Sequence, residues 1–470
     1  MTSTLNPMRP APGIPRPYHF PSFSRRQLAN GLNVWTVPIA GSALVNVHLL
    51  VDGGAAAEDE VHGGIAALTA QLLVTGTRRL DAAAFAEATE RLGIEVSSES
   101  NWDHARGAFQ SLPRHLDEGL GLLAEMIREP RFDVGEFERL RAERLADILQ
   151  ARSDPGRLAD ESFLMHAYAA DTPYRRLSAG GPETVEAFTH DDVVAFHSAH
   201  YRPGLAHLVI AGSFNEDAVA ASVERHLASW EGVGPGHRTI VPHAGGPRRI
   251  VIVDRPGSVQ SELRVGHIGI DRYDPRYFPA IVMSTVLGGT FGSRLNRRLR
   301  EELGYTYGAR SGFDTRRSAG VFTAAAAVET DVTAPAIAEL VALLEAARTA
   351  PFGEAEVKEA RDYQISIFPL RFESTGGIAA AIEPIAVYGL ADDFWQTYRD
   401  RLEAVGIAEA HDAATELMND SSGKDFTVQE VVERSGQSLR SFYQYFAGKH
   451  ELLLALFEES VRSTAEHLRQ

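Results

Sequence analysis

Arg300 and Tyr307 stand close together in the chain, and their types suit a reaction at a carbonyl. A guanidinium donates forked hydrogen bonds to carbonyl oxygens, and a phenol can stabilise a developing oxyanion. By type alone a second use stays open, with Arg300 capping a helix C-terminus and Tyr307 filling a strand. Another chemical place lies at residues 62–77, HGGIAALTAQLLVTGT. Ile65, Leu68 and Leu72 recur at helical spacing and would face a core, so positions 67, 70 and 71 share a different side. An inverted zinc motif, H-x-x-E-H, uses such positions: two His one turn apart bind metal, and the Glu activates water. Here they are Ala67, Ala70 and Gln71. Alanine has no lone pair, and an amide oxygen is a poor zinc ligand beside imidazole. The place for a metal is present and its chemistry is missing. His62 and His104 are nearby substitutes by type, although a scattered His is more often a surface or hydrogen-bonded residue.

The elements that must hold these residues follow from periodicity and turn chemistry. Residues 1–25 read as an extended arm, since Pro7, Pro10, Pro12, Pro15, Pro17 and Pro21 rule out a helix. Asn30-Gly31 marks a hairpin between 26–29 and 32–38. A strand at 44–51, the helix at 62–75 and a β pair at 94–100 and 105–112 follow. Helices at 113–128 and 134–152, a further helical stretch, a strand at 206–211 and a helix at 216–230 complete a first half. The same order then recurs, an internal repeat. A strand pair near 249–253 and 262–268 precedes a helix at 275–288, β segments at 304–313 and 321–328, and helices at 333–349 and 353–366. Pro235, Pro242 and Pro247 break the Gly-rich segment 231–247, the natural linker. The boundaries are therefore an arm 1–25, halves 26–230 and 248–405 about the linker, and a different segment at 406–470.

Composition narrows the classes. A chain of 470 residues, 44% of them hydrophobic, can bury two or three cores. A net charge of −17 argues against a general polyanion binder. Zero Cys excludes disulfides, thiolate metal sites and a cysteine nucleophile. No basic region leads into an apolar run at the N-terminus, and no charge-free apolar run reaches membrane-spanning length, so a cytoplasmic protein is expected.

The run from Gly64 to Thr77 resembles the G-x-A-H-x-x-E-H-x-x-F-x-G-T signature of the insulinase/pitrilysin peptidases, which include the mitochondrial processing peptidase and bacterial two-subunit relatives. The Gly, Ala, Leu and Gly-Thr frame matches while the chemical residues do not. The resemblance covers about residues 22–405 and implies two α/β sandwich domains. It also implies a third zinc ligand on the later helix, where Asp147 stands nearest, one methylene shorter than the family's Glu. Phe291-Gly292-Ser293-Arg294-Leu295 and the run from Leu299 to Tyr307 resemble a further family segment, G-x-x-x-S-R-L…L-R-E-x-x-G-L-A-Y. By that resemblance Arg300 and Tyr307 touch the substrate peptide near the scissile bond. In two-subunit relatives one partner carries zinc and the other supplies this pair; this sequence is similar to the second kind. No zinc is then expected on this chain, and a zinc-bearing peptidase subunit and a peptide are the expected partners.

After about residue 405 the pattern changes. FTVQEVVERSGQSLRSFYQYFAGKHELLLALFEES is similar to the DNA-binding domain of TetR-type repressors. Thr427–Ser435 would be a short helix, Gly436 the turn, and Ser438–Phe446 the recognition helix. The resemblance implies base-edge or backbone contacts from Ser438, Arg440, Ser441 and Gln444, and phosphate contacts from Thr427, Tyr443, Tyr445 and Lys449. The stretch from Gln437 to His450 holds Arg440 and Lys449 and no acid. The leading expectation is a non-catalytic peptidase-family subunit with a TetR-like helix-turn-helix. The rivals are a DNA-binding regulator that uses the peptidase-like part to dimerise or sense peptide, and an active zinc peptidase, against which Ala67, Ala70 and Gln71 speak.

Overall fold

The computed structural model describes residues 17–244 and 249–419. In the first half the elements run β1 (Ser24–Gln27), β2 (Asn33–Pro38), β3 (Val45–Val51), α1 (Ile65–Leu73), α2 (Ala82–Leu92), β4 (Glu95–Ser100) and β5 (Ala105–Ser111). Then come α3 (Leu116–Arg128), α4 (Val134–Ala151), α5 (Pro155–Ala167), α6 (Pro182–Ala187), α7 (His190–His200), β6 (His207–Gly212) and α8 (Glu216–Leu227). The second half has β7 (Gln260–Ile268), α9 (Tyr277–Ser284), β8 (Thr306–Thr315), β9 (Ala319–Glu329), α10 (Thr333–Thr349), α11 (Glu354–Ile367), α12 (Thr375–Tyr388), α13 (Phe394–Glu403) and α14 (Ile407–Asn419).

The first sheet has the order β1-β2-β6-β3-β5-β4, antiparallel except for the β2–β6 pair. Its β1–β2 hairpin turns at Gly31, whose φ of 92° suits a residue without a Cβ. The helix α2 has no counterpart in the periodic segments read from sequence, although its caps are legible. The Asp81 carboxylate accepts from Ala84 N, and Gly93 closes the helix in the left-handed region.

The repeat is visible in matched contacts. His197 of α7 meets the Ile127 carbonyl at the end of α3, 2.8 Å away, and lies edge-on to Phe132. His411 of α14 meets the Ala347 carbonyl at the end of α10, 3.2 Å away, and lies edge-on to Phe352. By this correspondence α14 is the second-half equivalent of α7. Ala410, Ala413, Ala414 and Leu417 bury its face in the second half's core. So the helix at the start of the 406–470 segment packs as part of the peptidase-like body.

The second sheet is smaller, β7-β9-β8, all antiparallel. Here the strand pair expected near 249–253 and 262–268 needs correction, because only the second member is a strand. In the first half β6 enters between β2 and β3; no such strand follows α14 among the described residues. A strand at 249–253 therefore has no neighbour to bond, and Ile250, Val251, Ile252 and Val253 lie exposed. The double substitution Ile250→Thr/Ile252→Thr should accordingly change unfolding free energy by less than about 0.5 kcal/mol, measured by urea titration.

The halves interlock. Helix α12 lies on β3 and β6 of the first sheet, and α5 lies on β7 of the second. The arm is not free: Phe20 is buried edge-on to Phe372, ring centroids 5.1 Å apart, so residues 17–23 staple the first strand to the second half. At the centre of the joint, Glu383 of α12 accepts from Arg106 at 3.0 Å and lies 2.6 Å from His48 Nδ1 and 3.8 Å from His104 Nε2. Beside it the Tyr388 hydroxyl donates to Asp103 at 2.8 Å.

Two other histidines tie stability to pH. Burial holds His197 and His207 down to about 4, and the Trp35 indole donates to His207 Nδ1, which requires a neutral ring. With unfolded values near 6.5, the unfolded chain binds the extra protons, so this stability is complete above about 6.5 and is lost as pH falls toward 4. The loss should approach about 3 kcal/mol per histidine at the acid end. His197→Gln should flatten the urea midpoint between pH 6.5 and 4.5; an unchanged slope would refute this.

Candidate functional site

The first-half cradle is built around the start of α1. The Glu58 side chain is fully buried and caps that helix, accepting from Gly64 N at 3.0 Å and Ala66 N at 2.8 Å. Arg176 donates to Glu58 and to the Ala55 carbonyl while lying over the Trp102 ring. Burial pushes the Glu58 carboxyl up to about 7, against the pull of Arg176 and the two amides. Only glycine fits position 64: its φ is +101°, and a Cβ would lie 2.5 Å from the Ala179 carbonyl oxygen.

On this helix Ala67 and Gln71 are half-buried and Ala70 is buried. Arg144 of α4 donates Nε–H to Gln71 Oε1 at 3.1 Å. Burial lowers the Arg144 pKa, opposed by the charges of Asp147 and Glu58. Asp147 itself is exposed. Two methyl groups, an amide already engaged by a guanidinium and a solvent-facing carboxylate make a donor set that does not fit zinc, which needs about three ligands of the imidazole, thiolate or carboxylate kind. A side-chain cation, Arg144, occupies the one polar group left at the motif positions. His62 and His104 are engaged elsewhere. His62 faces Asp59 and Asp192, and His104 faces Asn101 and Glu383.

In the second half, α9 runs into a π-helical turn, Thr285–Gly289, and a second follows at Asn296–Glu302. Gly288 lets the first turn approach β8, where a Cβ would lie 2.3 Å from Ser311 N. Asn296 pins the second turn: its amide donates to the Ala309 carbonyl and its Oδ1 accepts from Ala309 N, each at 2.9 Å. Arg294 grips Glu356 and Arg298 grips Glu339, both by two nitrogens. On this rigid frame the Arg300 guanidinium lies 3.7 Å from the centre of the Phe291 ring. Its side chain caps no carbonyl among the described residues. Tyr307 sits in a β-bulge between Thr306 and Ala309 and is 92% exposed. Bulges commonly re-aim a side chain beside a site. Neither residue fills a core. Phe291, 66% exposed under Arg300, is the site residue that type and spacing missed. Its signals in the sequence were a Phe within the Gly-rich run 288–292 and its place in the matched family segment.

The proposed DNA contacts, Thr427, Ser438, Arg440, Ser441, Tyr443, Gln444, Tyr445 and Lys449, lie outside the described residues. No helix among the described residues is long and apolar enough to cross a membrane.

Fold and site together define a two-half α/β peptidase-type body that presents a half-buried Arg300 over the exposed Phe291 and, on the neighbouring strand, the exposed Tyr307. The chain belongs to the insulinase family of peptidases, family M16. Residues 36–179 match the insulinase (peptidase family M16) model and residues 187–363 the peptidase M16 inactive-domain model. Residues 411–456 match the model of bacterial regulatory proteins of the tetR family. Among curated relatives, the non-peptidase homolog YmxG of Helicobacter pylori is 23% identical over 78% of this chain and 84% of its own length. An uncharacterized zinc protease of Rickettsia felis is 25% identical over 64% of this chain and 72% of its own. The fold is shared with the crystal structure of a Helicobacter pylori protease, TM-score 0.79 at 21% identity over 86% of this chain and 98% of that one. A peptidase M16 inactive domain from Pseudomonas fluorescens gives 0.75 at 22%, over 84% and 95%.

Proposed function

We propose that this chain is the metal-free subunit of a two-chain zinc peptidase and that it lends Arg300 and Tyr307 to a peptide held at the partner's zinc. The observation that carries the reading is the division of labour between the halves. The first half keeps the helix and its cap but has Ala67, Ala70 and Gln71 at the metal positions, and the second presents Arg300 and Tyr307 on a pinned frame. Arg300 would grip a peptide carbonyl and Tyr307 would donate to the oxygen on which charge develops. This chain would bind no zinc of its own. The match to the inactive-domain model supports the reading. The test is peptide cleavage by the purified chain alone, by a zinc-bearing family partner alone and by the mixture. Cleavage confined to the mixture is expected; a mixture no faster than the partner alone would exclude the subunit role.

The tetR-family match favours a second reading, a DNA-binding regulator whose peptidase-like body dimerises or senses peptide. Retention on a specific duplex, falling steeply with salt and lost in Arg440→Ala/Lys449→Ala, would support it.

A further inference from the structure

The Arg144 guanidinium reaches from α4 to Gln71 on α1 and spends only its Nε–H there; its two Nη groups have no acceptor among the described residues. The side chain is half-buried, and its Nη groups are free to take an acceptor. The nearby carboxylates do not supply one. Glu58 is engaged by Arg176 and two backbone amides, and Asp147 is exposed and makes no ion pair with Arg144. Ala67 and Ala70 add no bulk to this wall. Helix α1 packs on both α4 and β4.

We propose that this cradle binds the carboxylate of a peptide, with Arg144 as the anion-binding residue and Gln71 as its positioning residue. A carboxylate accepts from two nitrogens of one guanidinium at once, whereas a neutral amide oxygen cannot match both the charge and the fork. Holding Nε against Gln71 turns the Nη groups outward for that contact. The same chemistry is offered by a free peptide C-terminus and by an acidic side chain. The proposal rests on the first half being a peptide-binding wall.

The test is fluorescence anisotropy on the full chain with one labelled peptide in three forms: a free C-terminal carboxylate, its amide, and the amide with an internal Glu. One carboxylate form should bind at least about tenfold tighter than the neutral amide. Which form does so identifies the source of the carboxylate. The preference should vanish in Arg144→Gln and weaken in Gln71→Ala. Equal binding of the three forms, no binding of any, or a preference that survives Arg144→Gln would overturn the site. Should Arg144→Gln fail to fold, Arg144→Lys carries the test: it keeps the charge and loses the fork, so an undiminished preference would overturn the proposal. A preference without cleavage in any mixture would retain this site while removing the subunit role.

Discussion

Glu383→Ala is expected to lower the free energy of unfolding by about 3–5 kcal/mol, the cost typical of removing one partner from a buried charge cluster. Glu383 is only 13% exposed and is shared by Arg106, His48 and His104, all from the other half of the chain. Its loss leaves Arg106 with the exposed Glu99 alone and brings like charges together whenever the histidines protonate. The hydrogen bonds from His48 and Arg106 and the positive charge of Arg106 overcome the cost of burial and hold the Glu383 carboxyl below the ordinary carboxylate range. Its contribution is therefore present above the unfolded value of about 4.5 and is lost as pH falls through the folded one. Glu383→Gln keeps the shape and one acceptor, so its cost should be smaller. Urea denaturation at pH 7 checks both. A loss below about 1 kcal/mol in Glu383→Ala would mean that the joint is held by packing, through residues such as Phe20 and Phe372, and not by charge.

What the sequence discloses divides by distance along the chain. The β1–β2 hairpin, the position of α1 and the identity of Ala67, Ala70 and Gln71 are local facts, set by a turn dipeptide and by helical spacing. The recurrence of the element order was also legible, and the paired contacts His197–Phe132 and His411–Phe352 give it a structural meaning. Arg144 stands far from Gln71 in the chain, and Glu383 farther still from His48, so no periodicity joins them. Residues 249–253 mislead for the same reason. Their β-branched side chains favour a strand, but a strand needs a neighbour, and the neighbour β2 finds in β6 has no counterpart among the described residues. Phe291 was hidden because its role depends on a guanidinium that the second π-helical turn brings over its ring.

In the mixture with a zinc-bearing partner, Arg300→Ala should lower kcat/KM about 100-fold, equivalent to about 2.7 kcal/mol of transition-state stabilisation. The frame makes the experiment clean. Asn296, the Arg294–Glu356 pair and the Arg298–Glu339 pair hold the turn without Arg300, so the variant should unfold within about 0.5 kcal/mol of the native chain. Tyr307 adds a separate test. It is almost wholly exposed, so Tyr307→Phe removes one hydroxyl and no packing. If that hydroxyl donates to the developing oxyanion, kcat should fall about tenfold or more with KM little changed. Phe291→Ala should fall between the native chain and Arg300→Ala, because the ring only steadies the guanidinium, a contact worth about 1 kcal/mol. The order matters more than any single value: Arg300→Ala worst, Phe291→Ala mildest, and all three as stable as the native chain. Rates within threefold of native for Arg300→Ala would mean that the cluster does not reach the substrate. Phe291, Arg300 and Tyr307 would then be a surface for a partner protein, and their substitution should weaken subunit association in place of catalysis.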